Sequence, residues 1–416
     1  MEFLGIPFEI WLAGVLALYM AWAIGANDVA NAMGTSVGSG ALTIGAAIVV
    51  AAVFEFSGAF LAGGHVTDTV RKGMLDMEMV SPDTLKYGML AALASAGTLL
   101  VGATRYGLPV STTHSIVGAI VGFGAVAIGP AAVNWGKVGQ IVASWLTSPL
   151  LSGVMAFMIF QFTRAVVLDK DDPIQQVRKV GPFFFFYVFF IIGLVTLFKG
   201  IKNLNLDLDL PQALAGSFAL GLLGVAVGAF FLNRVREGEA VPGRRFSGVE
   251  RVFVVLQILT ACAVAFAQGS NDVANAIGPL AAVVSVIQGG GEIVDKAPVE
   301  PWMLAIGGLG IVVGLATWGY RVMETVGKKI TELTPSRGFA ASLAAATTIV
   351  LASRLGMPVS TTHTLVGAVL GVGLARGIGA IDLRVVGNII LSWIATLPIA
   401  AGLAIFFFYF FKGLLG

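Results

Sequence analysis

GANDVANAMG, residues 25–34, directly follows the apolar run WLAGVLALYMAWAI, and a near copy, GSNDVANAIG, stands at 269–278. The run reads as a membrane-crossing segment, yet it delivers Asn27, Asp28 and Asn31 to a place where lipid is the solvent. The two copies agree at eight of ten positions. A second pair, GLPVSTTHSIVGAIVG at 107–122 and GMPVSTTHTLVGAVLG at 356–371, agrees at eleven of sixteen. A third, ASWLTSPL at 143–150 and LSWIATLP at 391–398, follows in the same order. Three ordered matches establish an internal duplication.

Of 416 residues, 57% are hydrophobic and 12% charged, whereas soluble domains carry about 25% charged residues. The chain is therefore expected to be an all-α polytopic membrane protein. Apolar segments at 10–24, 41–63, 86–104, 114–129, 138–163, 182–198, 212–232, 250–268, 302–320, 338–354, 364–378 and 385–411 cross, or nearly cross, a hydrocarbon core of about 30 Å. This gives about twelve spans. Five fall in a first repeat, 1–165, and five in a second, 250–416, with two linking spans and basic cytoplasmic loops in 166–249. Seven crossings separate the copies, so the second enters from the opposite side: two inverted-topology repeats with broken or re-entrant helices. Most of the 25 Lys and Arg residues then collect on one side, five of them arginines in the 233–251 loop, which predicts that both termini face the exterior. No basic segment precedes the first run, which favours a span over a secretion signal. The net charge of +2 is dispersed and gives no footprint for nucleic acid. A single cysteine, Cys262, makes no intrachain disulfide and reads as apolar filler.

The polar clusters Asn27, Asp28, Asn31 and Asn271, Asp272, Asn275 each put one carboxylate beside carboxamides, with Asn at i and i+4 on one helix face. Such oxygen-rich, singly charged clusters beside a Gly-broken helix suit a small hard cation. Sodium is the first candidate because carboxamides coordinate without titrating, and a proton on the aspartate is the rival. In the second motif a proline opens a helix at Ser111-Thr112-Thr113 and at Ser360-Thr361-Thr362. Hydroxyls, free first-turn N–H groups and the helix dipole converge there, the elements of an anion site. A simple N-cap explains one hydroxyl per helix and leaves the others without a task. Neither motif contains Lys or Arg, so an oxyanion held by both helix starts needs a mobile cation beside it, and coupling follows.

His114 and His363 are duplicated but have no second His or Cys at ligand spacing, so a supporting or packing role is favoured. His65 receives no function. Glu55 is a lone carboxylate in the second span, without an acid in the matching stretch around GIVVGLATWG, and is a candidate for coupling or gating. Gly118, Gly122, Gly367 and Gly371 read as helix-packing positions, and FFFF at 183–186 as a lipid-facing surface.

With GANDVANA, GSNDVANA, PVSTTHS and PVSTTHT in view, the chain resembles the inorganic phosphate transporter family, called PiT, whose members include sodium-phosphate symporters. The resemblance spans essentially the whole chain. It implies a secondary active transporter importing inorganic phosphate by cation symport through alternating access. The cation is expected to be sodium, and no further cofactor is expected. Within the family, proton-coupled carriers and carriers of metal-phosphate or sulfate are alternatives. By motif, the resemblance matches Asp28 and Asp272 to the family's essential aspartates, Ser111 and Ser360 to its essential serines, and Glu55 to its first-half glutamate. Animal members carry a further acid shortly before the second PVSTTH. The stretch FAASLAAATTIVLASRLG has none, so coupling stoichiometry does not transfer. The expected location is the cell (inner) membrane, with the lipid bilayer, phosphate and sodium as partners and a homodimer left open. An intramembrane enzyme using Asp28 or Asp272 with a histidine is the distant alternative, but a catalytic site has little use for two copies in opposite orientations.

Overall fold

The computed structural model describes residues 2–3, 6–63, 74–198, 208–234, 248–293, 299–354 and 359–416. His65, Pro358 and, in the basic loop, Arg236, Arg244 and Arg245 lie outside the described residues.

Among the described residues, thirteen α-helices follow one another: α1 Phe8–Gly38, α2 Ile44–Ala62, α3 Pro82–Arg105, α4 Thr112–Ala127, α5 Trp135–Thr163, α6 Pro173–Phe198, α7 Leu210–Leu232, α8 Gly248–Gln288, α9 Pro301–Trp318, α10 Tyr320–Glu324, α11 Pro335–Arg354, α12 Thr361–Ala375 and α13 Leu383–Leu415. All except the one-turn α10 correspond in order to the twelve expected apolar segments. Among the described residues, nine are long and apolar enough to cross a membrane. At 1.5 Å per residue, α4 and α12, with 16 and 15 residues, reach only about 22–24 Å, short of a full hydrocarbon core. α11 is diluted in hydropathy by SRGFAAS and TT, which it buries against neighbouring helices.

Two expectations are corrected. α1 and α8 run unbroken through GANDVANAMG and GSNDVANAIG, so the polar clusters sit inside continuous helices and not beside a glycine break. The interruptions fall instead at the Ser-Thr-Thr starts of α4 and α12. Gly25 and Gly269 serve close approach: a Cβ on Gly25 would run into the carbonyl of Ile311, and one on Gly269 into that of Glu55. The FFFF run is also not one lipid-facing surface. Successive helical residues turn by about 100°, so Phe183 is exposed while Phe184 and Phe185 are buried, Phe184 among Phe253 and Phe339.

Packing is reciprocal between the halves. α1 lies on α9 and α2 on α8, while α5 lies on α12 and α4 on α13. Lipid tails are as apolar as leucine, so such contacts rest on close fit and small residues. Gly367 and Gly371 of α12 meet the backbone of Pro149 and Gly153 in α5, and Gly118 and Gly122 of α4 meet that of Leu397 and Ala401 in α13. α6 and α7 pack chiefly on each other. Cys262 is half-buried in α8.

Candidate functional site

α3 ends at Arg105, and the chain turns through Gly107, whose φ of 66° suits a residue without a Cβ. Pro109 and Val110 then lead to Ser111, the N-cap of α4. Asn27 of α1 holds this turn: its Nδ2 donates to Thr104 Oγ1 (2.9 Å) and Leu108 O (3.0 Å), and Val110 N donates to its Oδ1 (3.2 Å). The carboxamide thereby satisfies backbone groups that no helix pairs.

The start of α4 and the start of α12 meet on one carboxylate. Thr112 Oγ1 donates to Asp28 Oδ2. Thr362 Oγ1 lies 3.4 Å from Asp28 Oδ1 and 3.3 Å from Val110 O, sharing its single proton between them. Asn31 Nδ2 faces Asp28 Oδ1 (3.3 Å), Thr361 Oγ1 (3.4 Å) and Thr362 Oγ1 (2.9 Å). Asp28 and Asn31 are buried, as are Thr112, Thr361 and Thr362; Thr113 is half-buried. Ser111 and Ser360 are both N-caps, accepting from His114 N (3.3 Å) and His363 N (3.2 Å). Part of each Ser-Thr-Thr run is thus used for capping, as the plainer reading holds, and part for the aspartate. Thr112 and Thr362, two of the six residues expected at an anion, face Asp28, which joins the two motifs into one constellation.

In α8, Asp272 and Asn275 are buried and Asn271 half-buried. Gln268, one residue before Gly269, donates from Nε2 to the backbone carbonyl of Asp28, tying α8 to α1. Glu55 is 2% exposed, and its backbone carbonyl abuts Gly269 as that of Ile311 abuts Gly25. Ile311 is therefore the spatial counterpart of Glu55, and the counterpart of Gln268 is Ile24. The crossing of α2 with α8 thus carries a carboxylate and a carboxamide where the crossing of α1 with α9 carries two isoleucines.

Behind the motif helices the rings of Trp145, His114, His363 and Trp393 form a row, with centroids 3.7, 4.5 and 3.6 Å apart. Trp393 Nε1 donates to Pro109 O (2.9 Å), and His363 Nδ1 lies 3.4 Å from Trp145 O. Both histidine rings thus lie against aromatic rings, and that of His363 also against a backbone carbonyl. Sequence reasoning assigned nothing to Thr104, Gln268 or the two tryptophans. The tryptophans had a visible signal, since both stand in the third duplicated pair.

A helical membrane protein with duplicated polar helix starts gathered on a buried carboxylate is the architecture of an intramembrane carrier of small ions. The phosphate transporter family model matches residues 24–404, and the chain belongs to that family. It is 49% identical over 402 residues to a putative phosphate permease of Haemophilus influenzae, covering 96% of each chain. It is 44% identical over 437 residues to the chloroplastic inorganic phosphate transporter 2-1 of Arabidopsis thaliana, covering 96% of this chain and 72% of that one. A solved structure described as the sodium-dependent phosphate transporter superposes with a TM-score of 0.88 at 41% identity, over 98% of this chain and 100% of the other.

Proposed function

We propose that this protein imports inorganic phosphate by sodium symport through alternating access. The observation that carries this reading is the convergence of Thr112 and Thr362, one from each Ser-Thr-Thr copy, on Asp28. A fixed negative charge beside threonine hydroxyls, with the Asn31 Oδ1 left without a partner, fits a small hard cation. The helix starts beside it, with Ser111, Thr112, Thr113, Ser360, Thr361 and Thr362, fit an oxyanion. Sodium is assigned to Asn27, Asp28 and Asn31 and to their copies Asn271, Asp272 and Asn275, with Glu55 as a coupling or gating group. An anion and a fixed carboxylate repel at this range unless a cation enters with the anion, and this dependence makes transport coupled. A sodium-dependent structural relative supports the same cation.

In this reading 1–165 and 250–416 act as inverted repeats, 166–249 supplies the linking pair, and the reciprocal helix packing supports that division. The protein sits in the cell membrane with both termini outside, and a homodimer is compatible with it. The test is phosphate uptake into proteoliposomes under an imposed sodium gradient and, separately, an imposed proton gradient. Uptake driven by sodium alone is the expected result; uptake driven only by protons would replace sodium with a proton carried on Asp28, Asp272 or Glu55. Counterflow of labelled, chemically unchanged phosphate separates a carrier from an enzyme.

A further inference from the structure

Beyond Asn31, Thr35 of α1 and Ser39, its C-cap, follow at successive i+4 positions on the same face, with Ser36 beside them. Thr35 Oγ1 lies 2.8 Å from Ser342 Oγ of α11, and Ser39 Oγ donates to Gln257 Oε1 of α8 (2.9 Å). This polar column covers about 12 Å of helix, from the Asp28 constellation to the C-terminal end of α1, where Gly38 abuts Gly327. Hydroxyls between membrane helices commonly act as interhelical glue, but glue is satisfied by its partners. Here Asn31 Oδ1, Ser36 Oγ and Gln257 Nε2 have no hydrogen-bond partner, although their residues are 3%, 0% and 0% exposed. Buried polar atoms of this kind are characteristically met by water or an ion.

The column stands at one of the two places that the duplication relates. In register with the duplicated motifs, Thr35, Ser36 and Ser39 correspond to Pro279, Leu280 and Val283, Gln257 to Ala13, and Ser342 to Leu93. Each counterpart is apolar. A requirement of packing alone would fall on both copies, whereas a route for a hydrophilic species to one membrane face falls on one. We propose that Asn31, Thr35, Ser36, Ser39, Ser342 and Gln257 form the hydrated passage through which a small cation held at Asp28 reaches the membrane face at the C-terminal end of α1. This deepens the cation reading of Asp28 and rests on it.

The test uses Ser36→Cys in a Cys262→Ala background, reconstituted and turning over phosphate, with a small cationic methanethiosulfonate added from either side. A cysteine at exposed Lys329, in the turn against the end of α1, marks the face. Ser36→Cys is expected to react from the face that labels Lys329→Cys, and Leu280→Cys from neither. No reaction of Ser36→Cys during turnover, reaction only from the opposite face, or equal reaction of Leu280→Cys overturns the passage. In addition, Thr35→Val combined with Ser342→Ala should slow turnover roughly tenfold, the equivalent of about one hydrogen bond, while equilibrium phosphate binding at each sodium concentration stays within about twofold. Unchanged turnover, or weakened binding, contradicts it. Phosphate binding by the unmodified protein that ignores sodium strikes the sodium reading instead, and leaves the labelling pattern as the measure of the passage.

Discussion

Asp28 takes hydroxyl contacts from two helix starts that are far apart in the chain, Thr112 and Thr362, and a carboxamide contact from Asn31. Its charge is what a cation would be held by, and Asp272 occupies the matching place in the second copy. Asp28→Asn and Asp272→Asn keep the size and most hydrogen bonds of the side chain but remove that charge. Each is expected to abolish concentrative phosphate uptake while the purified protein remains monodisperse. Full uptake by either variant would exclude a cation held there by the aspartate. Asn27 contributes differently, because its carboxamide already bonds Thr104, Leu108 and Val110, leaving only a remaining oxygen lone pair for an ion.

The helix starts show how one residue type can serve two ends. Ser111 and Ser360 cap α4 and α12, so alanine at either position removes a cap worth about 0.5–2 kcal/mol together with any hydroxyl contact to phosphate. Glycine separates the two effects, because it caps nearly as well as serine but has no hydroxyl. Ser111→Gly and Ser360→Gly should therefore leave thermal stability almost unchanged. Equilibrium phosphate binding should weaken roughly five-fold to a hundred-fold, as for a lost buried polar contact of about 1–3 kcal/mol. Unchanged phosphate affinity would reduce both serines to caps. At the crossing of α2 and α8 the constraint is steric. Gly269→Ala places a methyl group against the backbone of Glu55, which cannot swing aside as a side chain could. The variant should lose thermal stability and uptake together, and a stable, active Gly269→Ala protein would mean that this crossing is looser than the structure has it.

At the scale of the molecule, the two halves interlock by exchanging partners: α1 with α9 and α2 with α8, α4 with α13 and α5 with α12. The helix starts that would hold phosphate and the carboxylate that would hold sodium thus belong to one packed unit, and the two ions are expected to bind cooperatively. Helix ends supply about half a unit charge each, which leaves a phosphate of one to two negative charges under-neutralised without a cation. Sodium should tighten phosphate binding, and phosphate should tighten sodium binding by the same factor, as thermodynamic linkage requires. Calorimetric titration at fixed pH and ionic strength, with choline replacing sodium, measures both factors. Equal phosphate affinity in choline and sodium would show that sodium is not the coupled ion.

Sequence alone determined the membrane class, the number and order of the main helices, the duplication and most of the polar residues at the centre. These follow from local composition and from identity between copies, which need no knowledge of what packs against what. The continuity of α1 and α8 was not legible, because an isolated glycine reads as a break unless the carbonyl of Ile311 or Glu55 is known to lie against it. Nor was the burial of Phe184 and Phe185, since hydropathy does not distinguish a lipid-facing ring from one buried among Phe253 and Phe339. The meeting of Thr112 and Thr362 on Asp28, and the one-sided column from Asn31 to Gln257, were decided only by tertiary structure. Each joins helix faces from distant parts of the chain, and close packing of whole helices, not any local pattern, fixes which faces meet.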